Sequence, residues 1–144
     1  MRPRILKGVW LDGSKAVIVT LKGEESEMQI IDSGIESRER IEGEGKSFGR
    51  FGNQFLDRRK SRENKLRELE SSYVSDVFDA VRTADQLLIM GPAHLKNELE
   101  KSIVNASGHK PNIRAVEAAD SMTDNQIAAK VREFFGKTTA AVPF

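Results

Sequence analysis

The sequence has no cysteine, only two histidines, one tryptophan and one tyrosine among its 144 residues. Without cysteine, disulfide bonds, thiolate catalysis and cysteine-ligated zinc are excluded. No apolar run reaches the roughly eighteen residues that a transmembrane helix needs. The short run Val9–Leu11 is too brief for the core of a signal peptide. The sequence therefore predicts a cytoplasmic protein with no membrane span.

The charge is nearly balanced, at a net +1, but it is unevenly distributed along the chain. The segment Gly23–Asp32 is acidic, whereas Lys46–Lys65 contains seven basic residues against two acidic ones. The seven basic residues are Lys46, Arg50, Arg58, Arg59, Lys60, Arg62 and Lys65. Such a cluster indicates either a surface that contacts nucleic acid or a helix face that is merely solvated.

Hydrophobic periodicity divides the chain into three strands followed by alternating helices and strands. Apolar and β-branched runs, separated by tight turns such as Asp12-Gly13, predict strands. The predicted strands are Ile5–Leu11, Ala16–Leu21, Met28–Ile31, Gln86–Met90 and Asn112–Val116. Apolar residues at helical spacing predict helices. The predicted helices are Leu56–Ala84, Ala93–Asn105 and Thr123–Phe135.

The resulting order, βββαβαβα, predicts an α/β protein with a mixed five-stranded sheet and helices on the sheet faces. This order matches the ribonuclease H-like topology. Length and composition fit a single domain over residues 1–136. Within it, a long Gly-rich loop is predicted at 34–54. Residues 137–144 are predicted to form a flexible C-terminal tail.

Several segments resemble those of one known family in their order and spacing. Val9-Trp10-Leu11-Asp12 resembles the family's first hairpin, and Leu87–Pro92 resembles its strand and Gly-Pro turn. The segment Gly45–Phe55 falls where the family carries a glycine-rich loop ending in Gly-Gly-Gln. The chain thus resembles the central domain of the archaeal and eukaryotic class-I translation release factors and ribosome-rescue factors, as a shortened stand-alone relative.

The resemblance implies a site in the Gly-rich loop. In that family the loop enters the peptidyl-transferase centre, and its Gly-Gly-Gln places a water on the peptidyl-tRNA ester. Carried over by position, Gly52 matches the first glycine, Asn53 stands at the second, and Gln54 matches the glutamine. These three are the candidate catalytic residues. Asparagine adds side-chain bulk where glycine gives backbone freedom, so the prediction is a domain without hydrolytic activity.

The basic cluster predicts an RNA interface on its own chemistry. Lysine and arginine neutralise phosphates, and aromatic rings stack on unpaired bases. The stacking candidates are Phe48, Phe51 and Phe55. The alternative is that these rings pack on the core while the charged side chains are only solvated.

Two isolated residues could carry other chemistry. Asp12 lies where ribonuclease H has its first catalytic carboxylate, but the sequence offers no well-placed partner carboxylates for a two-metal site. It is therefore predicted to be a turn residue. His94 has no second ligand at metal spacing and is predicted to lie on a helix surface. The sequence predicts neither a metal nor a cofactor.

These observations predict a translation-related domain whose partner is the ribosome, through rRNA or tRNA. Two alternatives stay open. One is peptidyl-tRNA ester hydrolysis through the Gly52-Asn53-Gln54 loop. The other is a protein-interaction domain with no RNA role, which pairs through a sheet edge or through the helix Thr123–Phe135.

Overall fold

The computed structural model describes residues 4–35 and 52–141, and in the second range it describes side chains from residue 59 to 136. The strands are β1 (Ile5–Leu11), β2 (Lys15–Lys22), β3 (Glu25–Asp32), β4 (Gln86–Gly91) and β5 (Asn112–Ala118). The helices in these ranges are α1 (Gly52–Val81), α2 (Leu95–Asn105) and α3 (Asp124–Ala141). The predicted α/β class and element order are confirmed.

The five strands form one mixed sheet in the order β3-β2-β1-β4-β5. The first three strands form an antiparallel meander, whereas β4 pairs parallel with both β1 and β5. Parallel neighbours need a crossover connection, and helices α1 and α2 supply these crossovers. The arrangement is the ribonuclease H-like topology predicted from the order of elements.

Helices cover both faces of the sheet, and each face has its own apolar core. Helices α1 and α2 pack on the face that contains Val9 and Leu87. Helix α3 packs on the opposite face, against Trp10 and Leu88. Successive strand residues point to opposite faces, which is why the adjacent residues Val9 and Trp10 belong to different cores. Strands β1 and β4 are buried on both sides and form the centre of the domain.

Two helices extend beyond their predicted limits. Helix α1 begins at Gly52, so residues 52–54 of the predicted loop belong to its first turn. The amides of the first helical turn have no intrahelical hydrogen-bond partner. The low helix propensity of Gly52 and Asn53 therefore reduces the stability of the helix little at these positions. Helix α3 continues through Gly136 to Ala141, into the predicted tail. Gly136 is not among the glycines with positive φ, so it does not form the left-handed cap that would end the helix.

Local hydrogen bonds determine where α3 starts. The amide of Gln126 donates to Oγ1 of Thr123 at 3.1 Å, and the Thr123 amide donates to Oε1 of Gln126 at 2.9 Å. This reciprocal pair is a capping box, which satisfies two amides near the helix start. Thr123 is therefore the N-cap residue of α3.

Candidate nucleic-acid interface

Helix α1 carries the described part of the predicted interface, and its two halves differ in environment. It contains 30 residues, which at the usual rise corresponds to about 45 Å. From Leu66 onwards its apolar residues pack on the sheet and on α2. Residues 59–65 are all exposed. The described part of the N-terminal half therefore contributes charged side chains to the surface and none to the core.

Two side-chain hydrogen bonds fix the direction of α1 on the sheet. The Tyr73 hydroxyl donates to the carbonyl oxygen of Asp12, beyond the end of β1, at 3.0 Å. Near the other end, Lys7 Nζ donates to the Ala80 carbonyl at 2.8 Å. Burial raises the pKa of Tyr73, and the charges of Asp12 and Asp32 raise it further. The hydroxyl therefore stays protonated and keeps donating over the physiological pH range.

Lys7 is the second of these anchors, and it lies half-buried on β1. Burial lowers the pKa of Lys7, while the negative charge of Glu27 opposes that shift. Its amine bonds the last turn of α1, where the helix dipole favours a positive charge. The sequence pattern gave no signal for either anchor, because both contacts join residues more than sixty positions apart.

A third contact links the middle of α1 to α2. His94 Nε2 lies 3.4 Å from Oε2 of Glu70, and the His94 side chain is 62% exposed. His94 occupies the N-cap position of α2 but makes no side-chain capping hydrogen bond. The two helices enclose a groove of about 340 Å³, whose lining also includes Arg67 and Glu98. The predicted surface position of His94 agrees with this geometry.

The structure brings four of the predicted RNA-binding side chains together on one exposed helical segment. They are Arg59, Lys60, Arg62 and Lys65. Arg62 and Lys65 are three positions apart and so lie on the same side of the helix. Arg59 lies 3.8 Å from Glu63 with both side chains exposed, and such a pair contributes little stability and leaves the arginine accessible.

Sequence reasoning missed one further basic residue on this helix. Arg67 is exposed and lies two positions after Lys65, which was the last residue of the predicted cluster. It lines the groove between α1 and α2. Arg67 lies seven positions, about two turns, after Lys60 and so continues the basic surface on the Lys60 side of the helix.

The predicted catalytic residues and the remaining interface residues are described less fully. Gly52, Asn53 and Gln54 form the first turn of α1. Phe55 and Arg58 follow in the same helix, and the side chains of residues 52–58 are not described. The predicted residues Lys46, Phe48, Arg50 and Phe51 lie outside the described residues. Their roles stay predictions.

Asp12 behaves as a turn residue. Its Oδ1 accepts hydrogen bonds from the amides of Ser14 at 2.8 Å and Lys15 at 3.0 Å. This is an Asx turn that closes the β1–β2 hairpin. Among the side chains that the structure describes, in residues 4–35 and 59–136, no three potential metal ligands converge. In the same ranges, no helix has both the length and the apolar character needed to cross a membrane.

Comparison with known proteins identifies the fold. No protein-family model matches the sequence, and no curated protein matches it. The structure is similar to the crystal structure of the Thermoplasma acidophilum Pelota protein, with a TM-score of 0.55 and 15% identity over 97% of this chain. It also matches the archaeal translation termination factor aRF1, with a TM-score of 0.47 and 12% identity over 94% of this chain.

The similarity to Pelota confirms the predicted resemblance at the level of the fold. The chain has a Pelota-like α/β fold with a mixed five-stranded sheet. It covers 34% of the Pelota chain and 40% of the aRF1 chain, so it spans between a third and two fifths of their lengths. A shared fold does not transfer an activity, because function resides in the site.

Proposed function

We propose that this chain is a translation-related domain that binds ribosomal RNA or tRNA through the N-terminal half of α1. The observation that carries the proposal is the exposed basic segment 59–65 of α1, a helix whose apolar residues from Leu66 onwards pack on the core. The release-factor-like fold supports a translational context. Phosphate neutralisation by lysine and arginine provides affinity without requiring a catalytic group.

The proposal includes no hydrolytic step. Asn53 stands where the resembling family has the second glycine of its motif, and its side chain adds bulk at a position where that family approaches RNA through the backbone. We expect no release of peptide from peptidyl-tRNA above the uncatalysed rate. Hydrolysis that is abolished by Gln54→Ala would contradict this expectation and establish the enzymatic alternative.

The test of RNA binding is co-sedimentation with ribosomes over a salt series. The binding variant reverses three basic residues whose exposed side chains are described. These are Arg59→Glu, Lys60→Glu and Arg62→Glu. The control variant makes the same change in net charge at exposed basic residues of β2, α2 and α3. These are Lys22→Glu, Lys101→Glu and Arg132→Glu.

We expect the wild type and the control variant to pellet at low salt and the binding variant to stay in the supernatant. Each lost phosphate contact should reduce the salt dependence, the slope of log K against log salt, by about 0.9. Equal loss of binding in both variants would mean that only net charge matters. If the wild type itself does not pellet, the RNA proposal is wrong and a protein partner becomes the better hypothesis.

A further inference from the structure

Strand β3 is an edge strand, since it pairs with β2 alone among the described residues. The Ser33 amide donates to the Ser14 carbonyl at 2.8 Å, so these opposed residues form a hydrogen-bonded pair. Such pairs alternate along an antiparallel ladder. Met28 and Ile30 each lie an odd number of positions from Ser33, so they belong to the non-hydrogen-bonded pairs. Their peptide N–H and C=O groups therefore point away from β2. They offer outward donors and acceptors to an additional strand.

Over residues 25–30 the side chains of β3 separate by chemistry onto the two faces. Met28 and Ile30 are 41% and 51% exposed. They lie opposite Val19 and Val17 of β2, on the face whose core α3 covers. Helix α3 covers these two valines, which are almost fully buried, but leaves the neighbouring β3 residues open. On this face β3 thus presents an apolar strip, Met28 and Ile30, which continues the core to the edge of the sheet.

The opposite face of β3 is acidic. Glu25 and Glu27 alternate with the apolar residues and are exposed. The segment Gly23–Asp32 contains four carboxylates and no basic residue. Lys22 lies opposite Glu25 in the ladder. Lys7 lies close enough to Glu27 for their charges to interact. Lys15 lies opposite Asp32 as well. All four carboxylate residues are exposed, whereas Lys7 and Lys15 are half-buried, so the exposed edge of β3 stays acidic.

The apolar strip leads into a cavity between the β2–β3 turn and α3. This cavity has a volume of about 550 Å³, and Leu6 and Leu21 contribute to its apolar lining. Ser26 lines it as well, and it lies on the same face of β3 as Met28 because the two are separated by one residue. The cavity and the strip are therefore neighbouring parts of one partly covered face.

We propose that the outer edge of β3 binds an extended cationic peptide by strand addition. The peptide's backbone bonds the outward peptide groups of β3. Its side chains alternate, so that lysine or arginine lies opposite Glu25 and Glu27 and apolar residues lie opposite Met28 and Ile30. Cross-strand pairs of opposite charge and of apolar residues both stabilise a ladder. This is recognition by strand addition, in which the backbone provides affinity and alternate side chains provide specificity.

Charge selects this occupant over a second copy of the chain. Pairing of two β3 strands would bring together two segments that each carry four carboxylates. Acidic residues alone would be explained as protection of an edge against aggregation. That explanation does not account for Met28 and Ile30, since large apolar side chains on an edge promote pairing. An edge that carries both carboxylates and exposed apolar side chains therefore repels an acidic strand and favours pairing with a cationic one.

The first test measures fluorescence anisotropy of a short labelled peptide in which lysine and valine alternate. The control peptide has the same composition with its lysines contiguous. We expect the alternating peptide to bind about tenfold more tightly, because only it can satisfy both faces at once. Equal binding of the two peptides would show simple charge attraction and overturn the proposal.

Variants locate the site on the protein. Glu25→Lys with Glu27→Lys should weaken binding of the alternating peptide by about tenfold, whereas Asp76→Lys, an exposed charge reversal on α1, should not. Ile30→Thr should weaken it, whereas Val104→Thr, at a residue 58% exposed on α2, should not. Circular dichroism shows whether each variant is folded. Equal effects at the site and control positions would refute this location.

Backbone methylation of the peptide tests strand pairing without altering the protein. N-methylation of one alternate set of residues should abolish binding and the other set should be tolerated, because only one set faces β3. Tolerance of both sets would exclude strand addition. Light scattering provides the remaining outcome: a dimer that Ile30→Thr converts to a monomer would mean that a second copy occupies this edge.

Discussion

Replacing Tyr73 with phenylalanine tests the anchor that orients α1. The substitution keeps the buried ring and removes one hydrogen bond, from the hydroxyl to the Asp12 carbonyl at 3.0 Å. A hydrogen bond of this kind contributes about 1 kcal/mol to stability. We therefore expect the free energy of unfolding at pH 7 to fall by about 1 kcal/mol.

The same residue makes this difference depend on pH. Burial and the nearby carboxylates raise the pKa of Tyr73 above its ordinary value of 10.0. Above that pH the unfolded chain releases the phenolic proton, whereas the folded protein retains it. The free energy of unfolding of the wild type then decreases by up to about 1.4 kcal/mol per pH unit. The phenylalanine variant lacks this loss, so the two stabilities should become equal at about pH 10.6.

Urea unfolding of both proteins over a pH series measures this difference. Lysines titrate alike in the two proteins, so their contribution cancels. The chain has a single tyrosine, and phenolate absorbance therefore reports Tyr73 without overlap. We expect phenolate to appear together with unfolding. Ionisation near pH 10 in a protein that is still folded would refute the burial argument, and a stability difference that is independent of pH would do the same.

Three further substitutions test the packing and the helix cap, each by chemical unfolding. Gly8→Ala should destabilise the protein by about 1–3 kcal/mol, because its Cβ would lie 2.3 Å from a Val131 methyl group; an unchanged stability would mean that α3 packs less closely. Gly91→Ala should cost at least as much, because its Cβ would lie 2.4 Å from the Leu11 carbonyl oxygen, which cannot rotate away as a side chain can. Thr123→Ala should cost about 1 kcal/mol through loss of the cap of α3, and Thr123→Ser should restore most of it.

The sheet could be predicted because its sequence signals are local. The apolar run Val9–Leu11 and the turn at Asp12 are readable within a few residues. The order of elements then restricts the topology, since parallel neighbours need helical crossovers. The ends of the helices were less predictable. Gly52 and Gly136 suggested breaks, and whether a glycine breaks a helix depends on the φ that the surrounding structure imposes.

The basic residues of the candidate interface could be predicted from the sequence, but their position relative to the core could not. The basic residues were visible as a cluster, because charge is a property of the sequence itself. The contacts that orient them were not. Tyr73 meets the Asp12 carbonyl across 61 positions, and Lys7 meets Ala80 across 73. No local pattern distinguishes a tyrosine that anchors a helix from one that only fills a core.

The near-zero net charge conceals two surfaces of opposite sign. At physiological ionic strength, the field of an exposed charge is largely screened beyond about 8 Å. The exposed segment 59–65 on α1 and the acidic face of β3 therefore interact separately with whatever binds near them. A partner at one surface is attracted or repelled by the charges of that surface alone. Net charge describes solubility and long-range steering, whereas recognition depends on which side chains share a surface. In this fold the described basic residues of the cluster lie on an exposed segment of α1, and the acidic residues lie on a strand that pairs with β2 alone in the described part of the chain.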